Sequence, residues 1–173
     1  QDGWHRHPFT LAISPNEKYV RFPVKGLGDY PSSPTQLLEP GMPAVIGGPH
    51  GRFDHAKGTA RQAWIAGGVG IAPFLSWVRA LEEHPPPGEV DLYYAFTGGP
   101  APFAEELAER IARSDQVRLH LVDSAVTSRM TAQDVLGNAP DPGALSVFLC
   151  GPEPMLRDLQ RGQRADRAAV AGV

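Results

Sequence analysis

A single cysteine, Cys150, stands in the 173 residues. It excludes an internal disulfide, a four-cysteine iron–sulfur cluster and a cysteine-rich zinc site, and it suits a reducing compartment. No apolar run approaches the roughly 20 residues that span a bilayer, and no signal-peptide apolar region follows the N-terminus, so the chain as given reads as soluble. Basic runs are also missing. With a net charge of −3, a nucleic-acid-binding surface is not indicated, although a local phosphate pocket is compatible with that charge. Internal repeats are absent too. The opening Gln1-Asp2-Gly3-Trp4 has no initiator methionine, which is the expectation for a fragment or a processed product.

Hydrophobic residues make up 42% and charged residues 20%, the composition of a chain that folds around a core. The 18 prolines and 19 glycines fall between apolar runs and read as loop punctuation. Upstream, Phe9–Ser14 is a short apolar run stopped by Pro15-Asn16. In Tyr19–Lys25, Val20, Phe22 and Val24 alternate with Tyr19, Arg21 and Lys25, the period of a half-buried strand. Pro23 inside it indicates an edge position or an irregular ladder. Thr35–Leu38 can form a helical turn, and Pro43–Gly47 a further strand.

From residue 63 the pattern changes. Strands are expected at Ala63–Ala66, Val90–Phe96, Val117–Val122 and Leu145–Leu149. Between them, Ile71, Phe74, Leu75 and Val78 have the spacing of a helix face, and Phe103, Leu107 and Ile111 mark a second helix. A short helix over Thr131–Leu136 and a last one from about Met155 complete the series. Such alternation predicts an α/β fold, a parallel sheet covered on both faces. The boundary falls near residues 55–61, dividing the chain into a β-rich part, 1–58, and an α/β part, 59–173.

The strongest local signal is Gly67-Gly68-Val69-Gly70-Ile71-Ala72-Pro73, between an expected strand and an expected helix. Glycines there let the backbone approach a pyrophosphate, and the helix N-terminus offers free N–H groups and a favourable dipole. The bland alternative is a tight strand-to-helix turn. A carboxylate for the adenine ribose is missing from the end of the second strand, Ala95-Phe96-Thr97-Gly98, so an ordinary direct-transfer dehydrogenase fits poorly. The second signal is Leu149-Cys150-Gly151-Pro152-Glu153-Pro154-Met155, again a strand end, a glycine turn and a helix start. Cys150 alone reads as a small buried hydrophobe, yet two such strand ends can line one crevice.

Together these two motifs resemble the nucleotide-binding domain of the ferredoxin–NADP reductase superfamily. His7-Pro8-Phe9-Thr10 and Val24-Lys25-Gly26-Leu27-Gly28-Asp29-Tyr30 resemble flavin-binding segments of its ferric reductase and NADPH oxidase branch, and Gly48-Pro49-His50-Gly51-Arg52-Phe53 resembles that branch's Gly-Pro-x-Gly turn at the domain junction. The resemblance runs from about His5 to Leu159. It implies a ferredoxin-reductase-like α/β domain preceded by a partial antiparallel β-barrel for FAD, with NADP(H) or NAD(H) as the second cofactor.

Carried over by position, Thr10 would offer its hydroxyl near flavin N5, with His7, Pro8 and Phe9 shaping the isoalloxazine site. Val24, Lys25, Ser32 and Ser33 would meet the ribityl or phosphate groups. Gly67, Gly68, Gly70, Ile71, Ala72 and Pro73 would hold the dinucleotide pyrophosphate. Cys150, with Gly151, Pro152, Glu153 and Met155, would sit beside the nicotinamide, which makes Thr10 and Cys150 the catalytic candidates. His7 as a strand cap and Lys25 as a solvated cation are the plainer readings. No metal site is expected.

The resemblance further implies a haem-containing membrane domain in the parent protein, on whose cytoplasmic side this module would work. Only about three of the family's six barrel strands are expected here, and the closing strand with its terminal aromatic is not evident in Arg161–Val170. A non-catalytic nucleotide-binding fragment and a reductase component of a soluble oxygenase are the alternatives.

Overall fold

A computed structural model of the chain describes residues 9–25, 39–48, 50–139, 141–166 and 169–172. Its centre is a five-stranded parallel sheet made of β1 (Arg61–Gly67), β2 (Glu89–Phe96), β3 (Val117–Asp123), β4 (Leu145–Cys150) and β5 (Ala169–Gly172), in the order β3-β2-β1-β4-β5. The inner strands read as nearly continuous apolar runs because both faces are covered. Every residue from Gln62 to Gly67 is buried.

Alternation along the strands splits the core in two. Trp64, Ala66, Leu92, Tyr94 and Phe148 point to one face, against α1 (Ala72–Arg79) and α2 (Ala104–Ile111). Ala63, Ile65, Tyr93, Val147 and Leu149 point to the other, against α3 (Ala132–Leu136) and α4 (Glu153–Asp166). Thr131 caps α3 through a reciprocal capping box with Asp134, which satisfies two otherwise free backbone donors. Phe103 departs from its expected place on the buried face of α2. It caps that helix in the left-handed region, φ 63°, and is 40% exposed.

Two expectations are corrected. No strand occurs among the described residues upstream of Arg61, so the partial barrel over Phe9–Ser14, Tyr19–Lys25 and Pro43–Gly47 is not formed there. One backbone bond, Ala12 N–H to the Arg21 carbonyl at 3.0 Å, joins the first two segments. Prolines 15, 23, 40 and 43 remove ladder donors from these short stretches. The helical turn expected over Thr35–Leu38 lies outside the described residues. At the other end, β5 pairs in parallel with Ser146–Leu149, so a closing strand exists although it carries no aromatic.

At the amino ends of the strands, Asp91 accepts from Arg61 (2.5 Å), Arg118 (3.1 Å) and His120 (2.8 Å). Burial opposes its ionisation, but the bonds from His120 and Arg118 and the nearby guanidinium charges win and hold its carboxyl below the usual range. A folded-state pKa below the unfolded one gives stability that is complete above the unfolded pKa and is lost as pH falls through the folded one. Asp91→Asn is therefore expected to cost about 2 kcal/mol at pH 7. Urea titrations from pH 7 downward should show this gap to the wild type closing in acid.

Candidate functional site

The turn from β1 into α1 begins with Gly67 extended and Gly68 at φ 54°, in the left-handed region that favours glycine. A 3-10 turn over Gly68–Ile71 leads into α1, whose start has no side-chain cap. The Ala72 N–H bonds to the Val69 carbonyl and Pro73 has none, so what α1 offers an anion at the loop is the positive end of its dipole. Gly70, Ile71, Ala72 and Pro73 are buried, with Ile71 and Ala72 in the core, whereas Gly68 is part-exposed and Val69 is 43% exposed. The ligand-accessible part of the loop is thus Gly68-Val69, and the four residues after it set its position.

The turn after β4 lies against this loop. Cys150 pairs in register with Ala66 across the strands where the sheet order reverses, the switch point at which open α/β sheets bind ligands. A Cβ on Gly70 would stand 2.2 Å from the Cys150 carbonyl oxygen and 2.8 Å from the Gly151 Cα. One on Gly67 would stand 2.8 Å from Met155 Sδ and Pro152 Cδ, and one on Gly151 would stand 2.5 Å from Met155 Cε. The thioether of Met155 therefore underpins both turns from the α3–α4 side, where it packs on that core. Pro152 and Glu153 are exposed above them, and Glu153 pairs with Arg157 at 3.3 Å.

Cys150 is part-buried and packs against the α1–α2 core. Burial pushes its thiol up, so near neutral pH it is a protonated, weakly polar contact rather than a thiolate.

An acid invisible in the second strand appears beside it. Asp123 ends β3 in register with Phe96 of β2. Its Oδ1 accepts from the backbone N–H of Gly98 and of Ala125, both at 2.9 Å. Thr97 and Ser124 hydroxyls face each other at 2.7 Å on the same edge. A carboxylate with hydroxyl neighbours thus ends β3 beside the carboxyl end of β2, next to the position that recognises a ribose in dinucleotide folds. Sequence reasoning searched only the second strand's own end, whereas the acid arrives through register from the next strand.

Of the residues expected to meet flavin, Thr10, Val24 and Lys25 are exposed. Phe9 is 51% exposed and its ring lies 5.7 Å from that of Phe22, tilted by 49°. His7, Pro8, Ser32 and Ser33 lie outside the described residues. A hydroxyl, an ammonium and apolar surface are the chemistry that an isoalloxazine and its phosphates require, so the described residues fit that group in type. The glycine cradle at the switch point fits a dinucleotide pyrophosphate. No cluster of metal-ligating side chains occurs among the described residues, and no helix among them is long and apolar enough to cross a membrane.

The sequence profile of the oxidoreductase NAD-binding domain matches residues 64–161, more than half of the chain. The chain belongs to this family. It is an NAD-binding oxidoreductase domain of the ferredoxin–NADP reductase superfamily.

The domain is 31% identical over 132 residues to the ferredoxin–NAD(+) reductase component of the alkene monooxygenase system of Xanthobacter autotrophicus, covering 69% of this chain and 39% of that protein. It is 30% identical over 167 residues to the reductase component of propane 2-monooxygenase of Rhodococcus jostii, covering 86% of this chain and 44% of that protein. The chain thus spans less than half the length of these relatives. Among solved structures, full-length CYP116B46 from Tepidiphilus thermophilus superposes with a TM-score of 0.75 at 23% identity, over 95% of this chain and 22% of that one. Flavohemoglobin from Malassezia yamatoensis, solved with bound FAD and heme, does so with a TM-score of 0.54 at 19% identity, over 66% and 32%. These two likenesses concern the fold.

The two loop glycines should respond differently. Nothing lies within 4 Å of a Cβ on Gly68, so Gly68→Val should leave the fold intact apart from roughly 1–2 kcal/mol of backbone strain. ADP-ribose affinity, measured by calorimetry, should nevertheless fall at least about tenfold. Gly70→Ala should instead cost roughly 2–3 kcal/mol in denaturant unfolding, because its methyl group meets the Cys150 carbonyl.

Proposed function

We propose that this domain is the nucleotide-binding part of an FAD-dependent NAD(P)H oxidoreductase, and that its preferred dinucleotide is NADH. The observation that carries the reading is the contact of two glycine turns, Gly67–Ile71 and Cys150–Pro152, at the point where the strand order reverses. When bound, the nicotinamide supplies a hydride, and the flavin takes up that electron pair and releases it singly.

The chain's own residues bind and orient. Backbone amides at Gly68-Val69 meet the pyrophosphate at the positive end of the α1 dipole, and the part-buried Cys150 gives the nicotinamide a weakly polar wall. Gly151 and Pro152 leave room above that wall. Thr10 would offer a hydroxyl to the flavin ring, with Phe9 beside it; His7 and Pro8, assigned to the same ring by resemblance, lie outside the described residues. Lys25 and Val24 would meet its ribityl and phosphate groups; Ser32 and Ser33, assigned to the same groups by resemblance, lie outside the described residues. No general acid or base is needed, since alignment of two bound rings is the whole of the protein's contribution.

Preference for NADH follows from Asp123. Among the described residues nothing bonds its Oδ2, which can accept from ribose hydroxyls, whereas a 2′-phosphate in that place would meet a carboxylate of like charge. The electron acceptor in this reading is a haem or another one-electron carrier, a view supported by the fold shared with a flavohemoglobin that holds both FAD and heme. A haem-containing membrane domain in the parent protein is the finer form of the same proposal. Service to a soluble oxygenase is the second reading, favoured by the two monooxygenase reductase relatives.

Titration of the purified chain with NADH and NADPH, followed by fluorescence, tests the proposal. NADH should bind at least about tenfold more tightly, and Asp123→Asn should narrow that ratio by roughly tenfold, or about 1.4 kcal/mol. Equal affinities in the wild type would overturn the preference. Absence of any dinucleotide binding would overturn the function, and binding without FAD uptake or flavin reduction would make the chain a non-catalytic nucleotide-binding unit.

A further inference from the structure

Among the described residues the segment that carries Thr10 belongs to no strand, yet it is not loose on the surface. Ala12 is 2% exposed and packs into the core beneath α1. Two side chains of α1 reach the backbone there: the Ser76 hydroxyl donates to the Ile13 carbonyl, and Arg79 Nη1 donates to the Ala12 carbonyl. The Arg79 side chain is only 6% exposed. It is held from behind by Glu106 of α2, which accepts from Nε at 2.7 Å and from Nη2 at 2.8 Å, a bidentate pairing that fixes the plane of the guanidinium. Glu17 stands 4.0 Å from Nη1, accepts from the Ser14 N–H at 3.1 Å and pairs with Arg21 at 3.3 Å. Asn16 Nδ2 donates to Glu83 at 2.7 Å.

The helix that begins at the nucleotide loop therefore ends in a clamp on the segment carrying Thr10. A buried arginine that spends one of its further donors on a backbone carbonyl reads position rather than sequence. It fixes where residues 12 and 13 lie whatever their side chains are.

We infer that Arg79, braced by Glu106 and assisted by Ser76, is a positioning residue that fixes the flavin-contacting segment relative to the dinucleotide loop at the other end of α1. This rests on the functional reading above only for the ligands, because the clamp itself is a matter of protein contacts. Methionine at position 79 keeps much of the side chain's bulk and removes every donor. Lysine keeps the charge and a single donating nitrogen but loses the planar fork.

The test uses the whole chain in three forms, wild type, Arg79→Met and Arg79→Lys, with three readouts. In hydrogen exchange, Arg79→Met should speed exchange of the amides of residues 11–14 at least roughly tenfold, with Arg79→Lys between it and the wild type. FAD affinity should fall by roughly tenfold or more in Arg79→Met and recover in part in Arg79→Lys. ADP-ribose affinity should stay within about twofold in both, because the loop and β4 turn are untouched.

A purely structural role for Arg79 would lower both affinities together, and that result would overturn the inference. So would unchanged exchange over residues 11–14 in Arg79→Met. A wild-type chain that binds ADP-ribose but not FAD would overturn the flavin half of the inference. Failure of the wild type to bind ADP-ribose would instead overturn the functional reading, and the exchange data would still decide the clamp. Should Arg79→Met not fold, Ser76→Ala gives the same three readouts with smaller expected changes.

Discussion

Everything at the site depends on one close approach. The Gly70 Cα lies so near the Cys150 carbonyl that no side chain fits between them. That contact locks the loop after β1 to the turn after β4, on neighbouring strands where the sheet order reverses. Neither turn alone makes a ligand site. Joined, they present the exposed Gly68-Val69 edge, the amino end of the α1 dipole and the part-buried Cys150 on one side of the sheet. Met155 beneath them and the core residues Ile71 and Ala72 behind them hold the arrangement, so much of the motif is scaffold for a small accessible surface.

The sheet then extends the site toward β3. Because β2 and β3 run in register, Asp123 ends beside Phe96 and secures the Gly98 and Ala125 amides with one oxygen. In this account the two halves of the dinucleotide are recognised by different physics. The pyrophosphate meets backbone dipoles, and the ribose meets a carboxylate whose charge decides between two otherwise similar cofactors.

Legibility in the sequence followed the range of the forces involved. The strands at Ala63, Val90, Val117 and Leu145 and the helix through Ile71, Phe74, Leu75 and Val78 were readable, because burial on both faces leaves apolar runs and a helical stripe in the local pattern. The paired glycine turns were readable because a tight approach of backbones demands glycine. Asp123 was missed because its role arises from pairing between strands, which the local pattern does not encode. The closing strand Ala169–Gly172 was missed because Ala-Val-Ala-Gly carries little periodic signal and gains its place by adding to the edge of β4. Upstream, alternation in Tyr19–Lys25 pointed to a half-buried strand, yet Val20 and Val24 are exposed and no ladder forms. Alternation expresses only a capacity to pair, and pairing needs neighbours.

The claim that both turns serve one bound dinucleotide is tested most directly by titrating NAD+ into the 15N-labelled chain and following backbone amide shifts. The account predicts that Gly68, Val69, Gly98, Ala125 and Gly151 move together along a single binding isotherm. Shifts at only one of the two turns, or a response centred on the amino-edge network around Asp91, would contradict it.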